Sequence, residues 1–225
     1  MLQLISHTAM SASYWGTKIV AVAKNYGAHA VEMGGKAEKQ AAPSIFLKPN
    51  SSVIGPGSAI VKPRGVRELH FEVELGVVIG RRTRSMRAAD WRDAVGGYVL
   101  GLDMTARDLQ GKAKVAGQPW TQSKCYDTFT PLSGIIPATA VPDPAALELY
   151  LRVDGAERQR GRTRDMLHSV PELLEFISGI MTLEPGDVIL TGTPEGVGAV
   201  EPGQRITAGL VGLVEETWPV EAAAA

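Results

Sequence analysis

Leu69-His70-Phe71-Glu72-Val73-Glu74-Leu75-Gly76-Val77-Val78-Ile79 alternates at first and then turns wholly apolar, the pattern of a strand that enters a protein interior. Side chains alternate along a strand, which sets Glu72 and Glu74 on one face and Phe71, Val73 and Leu75 on the other. Two carboxylates about 7 Å apart on one face repel each other, and aliphatic neighbours limit the water that could screen them. A bound cation relieves that repulsion. A solvated outer face of an edge strand is the alternative that this segment alone leaves open.

Strand signals dominate the rest of the chain. Short apolar or β-branched runs lie at Lys18 to Ala23, Ser44 to Leu47, Gly96 to Met104, Leu147 to Val153, Asp187 to Thr191 and Arg205 to Val211, which complete the expected strand set. Ile54 to Val61, with its glycines and proline, reads as a turn and an edge strand. Asp154-Gly155 marks a hairpin turn leading into Glu157 to Gln159. Helices are fewer. Thr105 to Ala116 opens with Thr105 and Asp108 spaced as a capping box and stops near Gly117 and Pro119. Ser169 to Thr182 has a second cap signature in Ser169 and Glu172, and an expected apolar face of Leu173, Leu174, Ile177, Ile180 and Met181. Many strands, few helices and no βαβ alternation predict a mixed, β-rich α+β fold and exclude a doubly wound nucleotide-binding sheet.

The chain has 225 residues, 44% hydrophobic and 21% charged, which suits one domain of ordinary size, or one with a small appendage, and a substantial core. A formal net charge of -1 and the absence of a long basic run speak against a nucleic-acid partner. Cys125 is the only cysteine, so no intrachain disulfide can form; a reducing compartment and a structural role for the thiol are expected. No apolar run approaches the roughly 20 residues that span a bilayer, so no membrane association is expected. Met1 to Tyr14 contains no Lys or Arg and carries no clear targeting signal, which leaves mitochondrion and cytoplasm both open.

A third carboxylate, Asp103, closes the apolar run Tyr98 to Leu102. A charge placed there needs a partner: it either caps the following helix or joins Glu72 and Glu74. Three carboxylates with no paired His or Cys form a hard, oxygen-only set, for which magnesium is the natural occupant and manganese or calcium the alternatives. Arg107, Gln110 and Lys124 follow within twenty-one residues. They could meet an anionic substrate, with Lys124 facing an enolate oxygen or a carboxylate, or could equally be solvated surface residues. Upstream, His29 and Glu32 stand at i and i+3, where a carboxylate orients an imidazole and raises its basicity, although such a pair is also a common surface contact. The Gly34-Gly35-Lys36 stretch after them suggests a mobile lid over 27–39. Gly192-Thr193-Pro194-Glu195-Gly196 follows a strand and could present backbone N–H groups and the Thr193 hydroxyl to a carboxylate, or could be a plain turn.

Six stretches in one order, KNYGAHAVEM (24–33), IFLKP (45–49), LHFEVELGVVIG (69–80), GGYVLGLDMTARDLQ (96–110), GQPWTQSK (117–124) and GDVILTGTPEGVG (186–198), resemble the fumarylacetoacetate hydrolase family, most closely its short-chain members. The resemblance runs from about Gly16 to Val220 and implies an N-terminal extension (1–15), a catalytic domain (16–220) and a short tail (221–225). It implies a mixed β-roll, a homodimer, and Glu72, Glu74 and Asp103 as ligands of magnesium. It further implies His29, Glu32 and Lys124 as catalytic residues and Arg107, Gln110 and Thr193 as substrate contacts. The implied activity is C–C cleavage of acylpyruvates, with oxaloacetate decarboxylation or keto–enol tautomerisation at the same centre. Two alternatives accompany it: decarboxylation and isomerisation of 2-oxo acids from aromatic degradation, and a non-catalytic dimer that keeps the metal site for ligand binding. Two positions depart from the family pattern, Lys24 where arginine is expected and Phe71 where a second histidine often follows His70, and both bear on substrate preference.

Overall fold

The computed structural model describes residues 15–224, so residues 1–14 of the expected N-terminal extension lie outside the described residues. The chain runs through β1 (Ile19–Ala23), α1 (Gly27–Glu32), β2 (Ser44–Lys48), β3 (Val53–Ile54), β4 (Ile60–Lys62), β5 (Leu69–Phe71) and β6 (Val73–Ile79). It continues with β7 (Val95–Leu102), β8 (Thr105–Ala106), α2 (Arg107–Ala116), α3 (Thr121–Lys124), β9 (Thr130–Pro131) and β10 (Ile136–Pro137). The last third comprises β11 (Glu148–Val153), β12 (Ala156–Arg162), α4 (Val170–Ile180), β13 (Val188–Leu190), β14 (Gly198–Ala199), β15 (Arg205–Leu210) and β16 (Val214–Ala222). Strands outnumber helices and form mixed sheets, a β-rich α+β fold. None of the described helices is long and apolar enough to cross a membrane.

A six-stranded sheet in the order β10-β7-β6-β13-β1-β2 positions the site. Its inner strands β6, β13 and β1 are buried on both faces, which is why β1 reads as an unbroken apolar run rather than an alternation. Val20, Val22, Leu75, Val77 and Leu100 face the larger core, together with Leu149, Leu151 and Ile206 of a five-stranded sheet (β12-β11-β15-β16-β4) and Leu173, Leu174 and Ile177 of α4. Ile19, Ala21, Val78, Val99, Val188 and Leu190 face the other way, against Trp15 and Leu132. Following this second face along β6 and β7 leads through Gly76 to Glu74 and through Gly101 to Asp103. Two strands buried on both sides therefore deliver carboxylates to one end of one face.

Several sequence expectations need correction. Leu69 to Ile79 is two strands, broken at Glu72, where the Asp103 N–H bonds the Glu72 carbonyl at 2.9 Å and the Val73 N–H turns to Gln159 Oε1 at 3.0 Å. Thr105 does not cap a helix: it pairs with His70 as part of β8, α2 begins at Arg107 with no side-chain cap, and Asp108 lies beside Arg67 instead. On α4 the capping box of Ser169 and Glu172 is present, but the helix ends at Ile180, which is 52% exposed and does not join the apolar face, while Met181 packs against the core from an extended position just past the helix. The expected strand set also stopped short of β16, which pairs with β15 from Val214 to Pro219 and with β4 from Val220 onward.

Candidate metal centre and active-site cleft

Glu72, Glu74 and Asp103 converge. Each offers a carboxylate oxygen within 4.8 Å of the others, and all three are buried, the one such group among the described residues. Asp103 is therefore not a helix cap, and the two glutamates do not form a solvated face. Around them stand cations, buried Lys48 and Lys124 and half-buried Arg107. Lys124 Nζ donates to Glu72 Oε2 at 2.8 Å and to Asp103 Oδ2 at 2.5 Å. Lys48 Nζ donates to Asp103 Oδ1 at 2.6 Å and to the Lys124 carbonyl at 2.5 Å. The Arg107 guanidinium donates to Glu72 Oε1, to Gln110 Oε1 at 2.7 Å and to His70 Nδ1 at 3.3 Å.

Burial alone would raise the Glu72 pKa, but Lys124 and Arg107 hold its carboxyl far below the usual carboxylate range. Burial would also discharge Lys124, yet Asp103 and Glu72 outweigh it and keep the ammonium protonated. For Lys48 burial wins over Asp103 and lowers the pKa. Glu74 differs from the other two carboxylates. Its hydrogen bond comes from the Gly192 N–H, at 2.7 Å, and burial with Asp103 and Glu72 nearby pushes its pKa well up. A carboxylate so placed lacks a balancing positive charge. An all-oxygen set of three buried carboxylates with this deficit fits a divalent cation.

The glycine-rich loop after β13 is not a plain turn. Gly192 has φ +99, and a Cβ there would come within 2.7 Å of Asn25 Cβ, so glycine is needed for the N–H to reach Glu74. Gly196, at φ +92, directs its N–H to Glu32 Oε1 at 3.0 Å. The other oxygen of Glu32 meets His29 Nδ1 at 3.0 Å, on the turn of helix that the i, i+3 spacing predicts. His29 is 5% exposed and lines the same cleft as the carboxylates. With Nδ1–H given to Glu32, Nε2 is the basic nitrogen of the ring. Arg107, Gln110, Lys124 and Thr193 line this cleft as well, so every sequence-selected residue meets at it, Glu32 through its bond to His29.

Sequence reasoning missed Lys48 and Gln159. Gln159 is buried; its amide donates to Thr193 Oγ1 at 2.8 Å and to the Pro194 carbonyl at 2.9 Å, while its oxygen accepts from Val73. One side chain thus ties the glycine-rich loop to the strand break beside Glu72. Lys48 carried a usable signal, a lysine closing an apolar strand, although its partner is 55 residues away. The Cys125 thiol donates to the Leu47 carbonyl, at 3.4 Å, and does not line the cleft.

The profile of the fumarylacetoacetate (FAA) hydrolase C-terminal family matches residues 18–220. The mitochondrial oxaloacetate tautomerase FAHD1 of Arabidopsis thaliana is 54% identical over 206 residues, covering 92% of each chain. The crystal structure of fumarylpyruvate hydrolase from Pseudomonas aeruginosa in complex with Mn2+ and pyruvate superposes with a TM-score of 0.87 at 36% identity, over 91% of this chain and 89% of that one. A 5-carboxymethyl-2-hydroxymuconate delta-isomerase from Mycobacterium smegmatis superposes with a TM-score of 0.84 at 43% identity, over 94% of this chain and 81% of that one. Matched along nearly its whole length, in sequence and in fold, the chain belongs to the fumarylacetoacetate hydrolase C-terminal family.

Proposed function

We propose that this chain is a magnesium-dependent enzyme of short 2-oxo acids, with enol–keto exchange of oxaloacetate as its principal reaction. Acylpyruvate cleavage and oxaloacetate decarboxylation are related reactions of the same centre. The observation that carries the proposal is the convergence of Glu72, Glu74 and Asp103 opposite the His29–Glu32 pair in one cleft. The oxaloacetate tautomerase relative supports the choice of reaction, and the Mn2+ and pyruvate in the fumarylpyruvate hydrolase support the class of metal and ligand.

Glu72, Glu74 and Asp103 would hold the ion, with manganese or calcium as substitutes for magnesium. When bound, it supplies Lewis-acid stabilisation of negative charge on the 2-oxo group. Lys124 has three N–H donors, of which two are given to Glu72 and Asp103; the third is available to an enolate oxygen or a carboxylate. Arg107 fixes Glu72 and Gln110, leaving the Gln110 amide N–H groups to orient the substrate. The Thr193 hydroxyl, accepting from Gln159, keeps its own hydrogen for the substrate carboxylate. In enol–keto exchange the enol O–H is lost and a proton is added at C3; His29 Nε2, oriented by Glu32, moves that proton. In acylpyruvate cleavage the same nitrogen takes a proton from the water that adds to the distal carbonyl. The C–C bond then breaks with its electron pair passing to the pyruvate enolate, which takes the proton held by His29 at C3.

A homodimer follows from the family resemblance, and the relative named as mitochondrial supports that compartment. The isomerase likeness favours a second reading, isomerisation of 2-oxo acids from aromatic degradation. Metal-stripped protein should be assayed with oxaloacetate, acetylpyruvate and a hydroxymuconate-type acid, before and after magnesium is returned. Magnesium-restored enol–keto exchange is the expected result. Full activity after exhaustive chelation would remove the metal from the mechanism, and turnover of the hydroxymuconate alone would select the second reading.

A further inference from the structure

Two lysines at the mouth of the cleft have no part in the chemistry above. Lys24 and Lys114 both line it, together with Met33, Phe46 and Trp120. Neither ammonium has a hydrogen bond or a carboxylate within ion-pair distance among the described residues; Lys114 lies over the Trp120 ring at 5.5 Å. Elsewhere on the surface, lysines such as Lys39 and Lys62 are paired, with Glu172 and Glu201 at 2.6 Å. Lys24 also sits at φ +55, a left-handed conformation that is strained for a residue with a Cβ. Its neighbour enforces that turn. The Asn25 side chain is buried and bonds the Thr191 carbonyl and both the N–H and the carbonyl of His168.

The like charges crowd one another. Burial, then Arg107, then Lys24 push the Lys114 ammonium down from its ordinary range. Four cations and three carboxylates line the cleft, so a divalent ion would leave it with a surplus of positive charge. A substrate with one carboxylate removes only part of that surplus. We propose that Lys24 and Lys114 form a distal subsite for the second carboxylate of a short 2-oxo diacid, and so make the cleft selective for diacids over 2-oxo acids with an uncharged far end. This rests on the reading that the three-carboxylate end of the cleft holds the 2-oxo acid head.

Oxaloacetate and its 4-methyl ester form a matched pair, alike in the 2-oxo acid head and different in the distal charge. Enol–keto exchange of the two should differ in kcat/KM by roughly 10- to 100-fold in favour of the diacid, the range for hydrogen bonds to a charged group. In Lys24→Met/Lys114→Met the ratio should collapse towards one, and in Lys24→Arg/Lys114→Arg it should persist. Calorimetric titration of the same two compounds into the magnesium-loaded protein reads the preference as a ratio of Kd even where neither is turned over. Absence of turnover with a Kd ratio of tenfold or more would sink the reaction assigned above and keep the subsite. A ratio near one in the wild type, or one that survives in the double methionine variant, overturns the subsite.

Discussion

Glu74 is the residue on which the cleft makes the heaviest electrostatic demand, since it is buried beside two carboxylates and bonded to a backbone N–H. Glu74→Ala should abolish turnover of every 2-oxo acid substrate. It should also remove the rise in Tm that magnesium gives the wild type, about 2.7 kcal/mol of stabilisation at a hundredfold excess over Kd. Thermal melts with and without magnesium check the second point independently of activity. His29 and Lys124 separate by reaction. His29→Ala should slow acylpyruvate cleavage by about 10²–10⁴-fold, the usual worth of general-base assistance, and oxaloacetate decarboxylation by less. Lys124→Ala should damage both, because both develop charge on the same oxygen. Steady-state rates on both substrates, in variants shown to bind oxalate, decide it; a His29→Ala enzyme that cleaves normally but no longer decarboxylates would contradict the role given to the imidazole. Glu72, Glu74 and Asp103 stood out in the sequence as charges among apolar neighbours, and the family resemblance, rather than strand alternation alone, marked them as a ligand set. Gln159 could not, since its two tasks join residues 34 and 86 positions away and a lone glutamine in a strand carries no local signal.

At the scale of elements, α1 and the segment after it are held from two sides: Gly196 bonds Glu32, and Lys39 Nζ bonds Glu172 at the start of α4 at 2.6 Å. Amides of 27–39 should gain hydrogen-exchange protection when oxalate binds; equal protection with and without it would count against a lid. Lys39 and then the Ser169 N–H lower the Glu172 pKa from 4.5 to about 2. A depressed carboxyl stabilises the fold above its unfolded value and ceases to do so as pH falls through the folded one. The Tm difference between wild type and Glu172→Gln should therefore be full above pH 4.5 and vanish towards pH 2. Ser169→Ala should cost about 1 kcal/mol, measured by urea unfolding. This helix start was legible because both halves of its cap lie within four residues. The start of α2 was not: Thr105 and Asp108 have the same spacing, but pairing with β5 takes Thr105 into a strand. Pro219 concealed β16 in a similar way, since proline argues against a strand interior. It sits where the strand passes from β15 to β4, and the donor that resumes pairing there is the Val220 N–H, to the Gln204 carbonyl.

For the whole molecule, sedimentation equilibrium should give a species of twice the chain mass, as expected of the family; a monomer at micromolar concentration would contradict it. The overall class was legible because inner strands of the central sheet are buried on both faces, which writes apolar runs into the sequence. The strand order was not, since it depends on pairings between distant segments. Among these, β1 lies parallel to β13, with Ile19 opposite Val188 and Ala21 opposite Leu190. That pairing sets a timetable. β2 is at hand soon after β1 is made, but β1 cannot find its parallel neighbour until β13 has left the ribosome, and the loop that braces Glu74 follows directly after β13. Nascent chains should therefore be unable to capture the metal, and refolding should be slow, in the millisecond-to-second range of non-local β topologies. Magnesium present during refolding should raise the final yield without changing the main rate, as stopped-flow fluorescence would record, because the ion can be held only by a fold that is already complete.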